Sequence, residues 1–185
     1  MLCDEALRLG RILAALAPRE TEVHGSALME LQSSPLAARI AADGSPILLL
    51  DQDRSQWDPV HIVRGLAALE RAEAPARELG PYTLQAAIAA CHARAQTAEL
   101  TDWVQIAGLY EQLARLTGSP VVEVNRAVAL GMAYGPEAGL ALLDQLEELP
   151  APSGYITCCQ ACGAICCTNS GGKMRPERSL PAPRQ

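Results

Sequence analysis

The sequence predicts an all-α fold, made of antiparallel helical hairpins in a TPR-like α-solenoid or bundle. Three observations carry that prediction. Alanine and leucine dominate, aromatics make up 3% of residues and phenylalanine is absent, a mix that suits helix-on-helix packing and not a β-sandwich. Apolar residues recur at helical spacing in one segment after another. Four segments also open on one device, a capping or turn residue with proline directly after it, at Asp58–Pro59, Gly80–Pro81, Ser119–Pro120 and Gly135–Pro136. Proline is welcome there because its missing N–H has no partner in the first turn of a helix.

Taken in order, Leu7, Leu9, Ile12, Leu13 and Leu16 form the stripe of a first helix that ends at Pro18. Val23, Ala27, Leu28 and Leu31 form a second, broken near Ser33–Pro35. The stretch "RIAADGSPILLL" then leaves the helical period. Its Asp43–Gly44 is a turn signal, so a short irregular or hairpin insertion is expected at about residues 39–57. The later helices are expected over 59–74, 81–95, 101–116, 120–133 and 136–148, and their short connections imply antiparallel neighbours. In "TDWVQIAGLYEQLARLTGSP", Trp103, Ile106 and Tyr110 sit where the first helix of a tetratricopeptide unit places its core residues. The helix after it does not keep that register and no second copy occurs at the repeat length, so TPR-like packing and an unrelated bundle both remain open. Residues 1–153 form the expected helical domain, and residues 154–185 an expected disordered, basic, cysteine-rich tail.

Charge divides along the same line. Residues 1–153 hold 20 acidic side chains, 11 arginines and no lysine, whereas residues 154–185 hold one glutamate, one lysine and three arginines. A strongly acidic body repels a phosphate backbone, so direct nucleic-acid binding is not expected. No run approaches the ~18 apolar residues of a membrane span, and the first residues carry alternating charges. The chain is therefore expected in the cytoplasm, away from the membrane.

The densest polar cluster is "LLLDQDRSQWD", residues 48–58. Asp51, Asp53 and Ser55 match the opening of a calcium loop, but Gln56 stands where glycine is required and Ile62 where a bidentate glutamate is required. The segment reads instead as a structured connection in which Arg54 pairs with a carboxylate, Trp57 packs and Asp58 caps. His24, His61 and His92 fall on three different helices without paired spacing, with His61 near the 51–58 segment. Cys3 and Cys91 read as small buried apolar residues. No hydrolase, phosphate-loop, dinucleotide or zinc-protease motif is present, so neither catalysis nor a cofactor is expected.

Five of the seven cysteines fall between Cys158 and Cys167, in "GYITCCQACGAICCTNSGGK". The CxxC spacing suits zinc or an iron–sulfur cluster, but adjacent cysteines are awkward ligands and no histidine lies close behind. The genetic code offers a simpler account. Every cysteine codon begins TG, so a one-base shift turns each into a leucine, valine or methionine codon. The five positions then become an amphipathic stripe at i, i+1, i+4, i+8 and i+9. Restoring GC-rich codons yields "HLLPGVRGDLLHQLGRQDEARKE" after Tyr155, so a frameshift near Tyr155–Ile156 is expected.

Five ordered blocks together resemble one family: "LCDEALRLGRILAAL", "LLLDQDRSQWD", "GPYTLQAAIAACHA", "TDWVQIAGLYEQL" and "SPVVEVNRAVAL". That family is the C-terminal TPR-like extension of bacterial extracytoplasmic-function (ECF) RNA polymerase sigma factors, and the resemblance covers about residues 1–154. The shifted-frame tail also looks like the next segment of that family. The resemblance implies a non-catalytic regulatory and protein-interaction module in transcription initiation. Its implied partners are the sigma DNA-reading regions, the RNA polymerase core and a small YCII-like protein. Those DNA-reading regions precede the extension in the family and are not in this sequence, so a fragment, or a downstream piece of a broken gene, is expected. Asp51, Asp53, Arg54, Trp57, Asp102, Trp103, Asn125 and Arg126 are the residues expected to carry the family-specific role, although each also fits a bland role as cap or core. The alternative is a free-standing helical-repeat adaptor whose cysteine-rich tail binds metal.

Overall fold

The computed structural model describes residues 2–17, 26–73 and 79–147. The expected break at Pro18, Val23 of the second expected stripe, and the whole of residues 154–185 lie outside them. Among the described residues there are seven α-helices: α1 (Leu2–Leu16), α2 (Ser26–Ser33), α3 (Pro59–Glu73), α4 (Pro81–Arg94), α5 (Trp103–Thr117), α6 (Pro120–Tyr134) and α7 (Pro136–Glu147). The described residues contain no strand; their extended pairing is a single antiparallel bridge between Ile40 and Pro46. The all-α architecture is the one the sequence predicts.

All four proline devices mark real helix starts. The Asp58 carboxylate accepts from the amides of Val60 (2.8 Å) and His61 (3.3 Å) at the start of α3. Asp102 does the same for α5, accepting from the Gln105 amide at 2.9 Å. Such caps satisfy amides that have no partner within the helix and stabilise it by about 1 kcal/mol. Ser119, by contrast, makes no side-chain cap, leaving the stop and start between α5 and α6 to Gly118 and Pro120. Gly118 adopts φ 57°, a left-handed conformation that favours glycine, and its amide donates to the Ala114 carbonyl at 2.8 Å. With only Gly118 and Ser119 between two packed 15-residue helices, the pair is forced into an antiparallel hairpin.

The core is handed along the chain rather than gathered at one centre. Ala27, Leu31, Ala68, Leu69, Ala86, Ala87 and Ala90 join α2, α3 and α4. Leu84, Ile88, Cys91, Ile106, Ala107, Leu113 and Ala129 join α4, α5 and α6, with Trp103 and Tyr110 packed against them. Val124, Ala127, Leu143 and Leu146 join α6 and α7. Each layer touches only its neighbours, which is the logic of a helical stack. Leu69, Leu84, Ile106 and Val124 are fully buried, one from each of α3 to α6, and each contributes roughly 1.5–3 kcal/mol.

Small residues set the helix spacing. A Cβ on Gly65 of α3 would lie 2.6 Å from Leu31 Cγ of α2. One on Gly139 of α7 would lie 2.5 Å from the Ala127 carbonyl oxygen of α6. Gly65 meets a side chain that can rotate, whereas Gly139 meets backbone that cannot.

The insertion at 39–57 is irregular, as expected, with a short 3-10 turn at Arg54–Gln56 and another, Leu36–Ala38, just before it. At its tip the Gly44 amide donates to the Ala41 carbonyl at 2.9 Å, and the Asp43 carboxylate accepts from the amide (2.9 Å) and hydroxyl (2.6 Å) of Ser45. The first helix departs from expectation. Of its five-residue stripe only Leu7 is buried; Leu9, Ile12, Leu13 (56% exposed) and Leu16 (77% exposed) face outward. The period is helical, but no described element covers that face.

Gly139→Ala is expected to lower the unfolding free energy by about 1–3 kcal/mol, because α6 and α7 must separate. Gly108→Ala has open space around its Cβ, and should leave stability unchanged or raise it by up to about 1 kcal/mol. Urea unfolding monitored by circular dichroism measures both. Equal effects would mean that the close approach of α6 and α7 is wrong.

Candidate functional site

The 51–58 segment packs onto the C-terminal end of α4, and Arg54 is its anchor. One terminal nitrogen of the guanidinium, Nη1, donates to the main-chain carbonyl of His92, in the last turn of α4. The guanidinium lies 4.2 Å from the centroid of the Trp57 ring, a cation–π contact, and Trp57 itself is only 6% exposed. A cation at a helix C-terminus meets the negative end of the helix dipole and one of its unpaired carbonyls. Arg54 thus holds its charge in a half-buried position without an ion pair to any described carboxylate, which corrects the pairing expected from sequence. Burial lowers its pKa, and the charge of Glu99, on the 3-10 turn Ala98–Leu100, partly offsets this.

His92 completes the junction from the other side. Its ring meets Trp103 edge-on, with centroids 5.2 Å apart, so α4, α5 and the 51–58 segment converge here. Burial, aided by the positive charge of Arg54, pushes the His92 pKa down to about 4. Gln52 is buried and its amide nitrogen donates to the Ile47 carbonyl at 3.2 Å. Arg54, Trp57 and Trp103 of the expected set are therefore brought together. His92 joins them, which the sequence does not mark as a partner. Nothing local distinguishes it, because its contacts come from segments distant in the chain meeting one another.

The remaining expected residues are elsewhere or engaged in local structure. Asp51 is exposed. Asp53 caps the Arg54–Gln56 turn, accepting from the Ser55 amide (2.9 Å), the Ser55 hydroxyl (2.7 Å) and the Gln56 amide nitrogen (3.1 Å), and these bonds lower its pKa. Asp102 is the cap of α5 already described, and Asn125 is exposed on α6. Arg126 sits between Glu123 (3.3 Å) and Glu111 of α5 (3.8 Å), a clamp across the α5–α6 hairpin.

A second polar junction, unforeseen in sequence, joins α1, α2 and α3. Glu30 is 3% exposed, and its carboxylate accepts from Arg11 Nε at 2.6 Å and shares a 2.6 Å hydrogen bond with His61 Nδ1. Burial alone would raise the Glu30 pKa, but the bonds from Arg11 and His61 outweigh it and hold the carboxyl below its ordinary value. A carboxylate so placed is worth keeping only while both partners are present.

Other chemistry is sparse. Cys91 is buried, its thiol donates to Gln105 Oε1 at 3.1 Å, and burial lifts its pKa to about 11, which makes it a poor nucleophile. Among the described residues no three histidine, cysteine or acidic side chains are grouped to hold a metal, and no helix is long and apolar enough to cross a membrane. The Cys158–Cys167 cluster lies outside the described residues.

Residues 1–73 match a family of unknown function (DUF6596). An uncharacterized protein of Rhizobium meliloti (strain 1021) is 51% identical over 156 residues, which is 84% of this chain and 36% of that protein. The chain thus spans about a third of the length of the curated relative it matches. No solved structure matches it.

The buried, neutral His92 makes stability depend on pH with a definite sign. Its folded pKa of about 4 lies below the unfolded value of about 6.5, so the unfolded chain binds more protons between those limits. Stability is then complete above about pH 6.5 and falls on acidification toward pH 4, by roughly 2–4 kcal/mol from this group. Proton NMR of the His92 ring should show titration near pH 4, and His92→Asn should flatten the acid slope of urea unfolding. Titration near the unfolded value would contradict the burial described.

Proposed function

We propose that residues 1–153 are the helical, protein-binding extension of an ECF RNA polymerase sigma factor, acting in transcription initiation through protein contacts and without its own catalysis or promoter reading. The observation that carries the protein-binding part is the open face of α1. Leu9, Ile12, Leu13 and Leu16 lie at i, i+3, i+4 and i+7 and are all exposed. An amphipathic helix with an uncovered apolar stripe at one end of a stack is built to receive another helix.

The sigma-factor part rests on the five ordered sequence blocks. They coincide with α1, the Arg54 segment, α4, α5 and the first turns of α6, the elements that make the helical joints. The 51% identical relative supports reading this region as one part of a longer protein, since the aligned segment is 36% of that relative. The acidic balance of residues 1–153 supports contacts with basic protein regions, such as those that read DNA, and not with DNA itself. The partners in this reading are the sigma DNA-reading regions or the polymerase core, with a small YCII-like protein as a further candidate, and the compartment is the cytoplasm.

Co-purification with sigma DNA-reading regions supplied on a separate chain, or with core polymerase, tests the reading. Binding is expected, and Leu13→Glu with Leu16→Glu should weaken it by about tenfold or more without changing helicity, because both side chains are exposed. No association with either partner, together with zinc or iron that is lost when Cys158 and Cys162 become serine, would favour the metal-binding adaptor instead.

A further inference from the structure

Burial leaves some polar atoms without a partner, and these are not scattered. Among the described residues eight buried side-chain nitrogen and oxygen atoms make no hydrogen bond, and four of them belong to Arg54, Trp57 and His92. Folded proteins pair nearly all such atoms, because an orphan is costly and a charged one more so. Four on three side chains that meet at one junction point to a group that the junction is built to receive.

The identity of the atoms narrows its chemistry. Arg54 Nε and Nη2 are both unpartnered. They form the edge through which an arginine grips a carboxylate with two parallel hydrogen bonds. The rest of the guanidinium is already committed, Nη1 to the His92 carbonyl and one face to Trp57, so its orientation is set and one edge is left. The Trp57 indole nitrogen, unpartnered on the ring that stacks with Arg54, can only donate. Trp57 is more than nine-tenths buried. No described carboxylate forms an ion pair with Arg54.

We propose that the Nε–Nη2 edge of Arg54 is a carboxylate-binding site, filled by the carboxylate of a small organic acid or of an acidic side chain on a partner protein. The edge is closed to solvent in this structure, so a carboxylate reaches it when the segments around it open locally. The turn Ala98–Leu100 carries Glu99, whose charge reaches Arg54. Its backbone hydrogen bonds are local, from the Leu100 amide to Thr97 and from the Thr101 amide to Ala98, both 3.2 Å. Glu99 is exposed, and its negative charge competes with an incoming carboxylate for Arg54.

The test monitors the arginine Nε–H signals of the full chain by NMR, with the Arg54 signal assigned by its loss in Arg54→Lys. Succinate is titrated in one series and a short glutamate-rich peptide in another, up to about 50 mM, where even a millimolar site saturates. Sodium chloride at matched ionic strength is the control. The Arg54 signal is expected to move with carboxylate and not with chloride. Glu99→Gln should tighten binding by about threefold, and Arg54→Lys, which keeps the charge but loses the paired geometry, should weaken it by about tenfold or more. A response to succinate identifies a small-acid site, and a response to the peptide alone identifies a protein partner. An Arg54 signal that is protected from exchange yet indifferent to both probes would mean that water satisfies the edge, and the proposal falls. If Arg54→Lys does not fold, comparison of the wild-type and Glu99→Gln titrations still decides.

Discussion

The Arg54 guanidinium, held between the Trp57 ring and the last turn of α4, is the contact on which the arrangement of the insertion depends. Residues 39–57 hold one antiparallel bridge and one 3-10 turn, too little regular structure to place them. They are tied to the helices at few points: Arg39 reaches the Gln32 carbonyl at 2.9 Å, and Arg54 reaches His92. Only the last of these joins the insertion to α4. It also brings a positive charge to His92, which adds to burial in keeping that imidazole neutral. A carboxylate partner for Arg54 would have neutralised the pair. The helix end supports the charge without cancelling it, and that leaves one edge of the arginine available.

Beyond this joint the stack is held by apolar layers that pass from each helix trio to the next, with alanine and glycine setting how near the axes come. Short side chains at Ala27, Ala68, Ala86, Ala87 and Ala90 allow α2, α3 and α4 to share a layer, and Gly139 lets α7 approach the backbone of α6. Such a stack has an end at α1 that no internal rule covers. There a single buried carboxylate, Glu30, takes the place of a wide apolar contact. It gathers Arg11 of α1 and His61 of α3 around α2, while most of the leucines in the α1 stripe stay in solvent. An end fastened by a polar clasp and open on its apolar side differs in kind from the α6–α7 end, and that asymmetry supports reading α1 as an interface.

Much of the fold is legible in the sequence because its signals are local. Proline fixes φ and lacks a donor, so Pro59, Pro81, Pro120 and Pro136 can begin a helix and cannot easily continue one. Asp58 and Asp102 are capping residues, and Asp43–Gly44 suits only a turn. Helical period locates α3 to α7 within a residue or two. The same period in α1 does specify a helix, but it carries no information about whether its stripe is covered.

The site is legible only in part, and the reason is physical. Composition marks residues 48–58 as the densest polar cluster, and places Arg54 and Trp57 in it. What sequence alone determined, then, was the class of fold, the helix starts, the acidic balance and the existence of that cluster. Whether Arg54 would find a carboxylate, a helix end or solvent depended on which backbone lay opposite it. The same is true of His92 against Trp103 and of Glu30 between Arg11 and His61. Burial and charge pairing belong to pairs of residues distant in the chain, and their energies are set by distance and desolvation that no single segment encodes. Those partners were decided only when the helices packed.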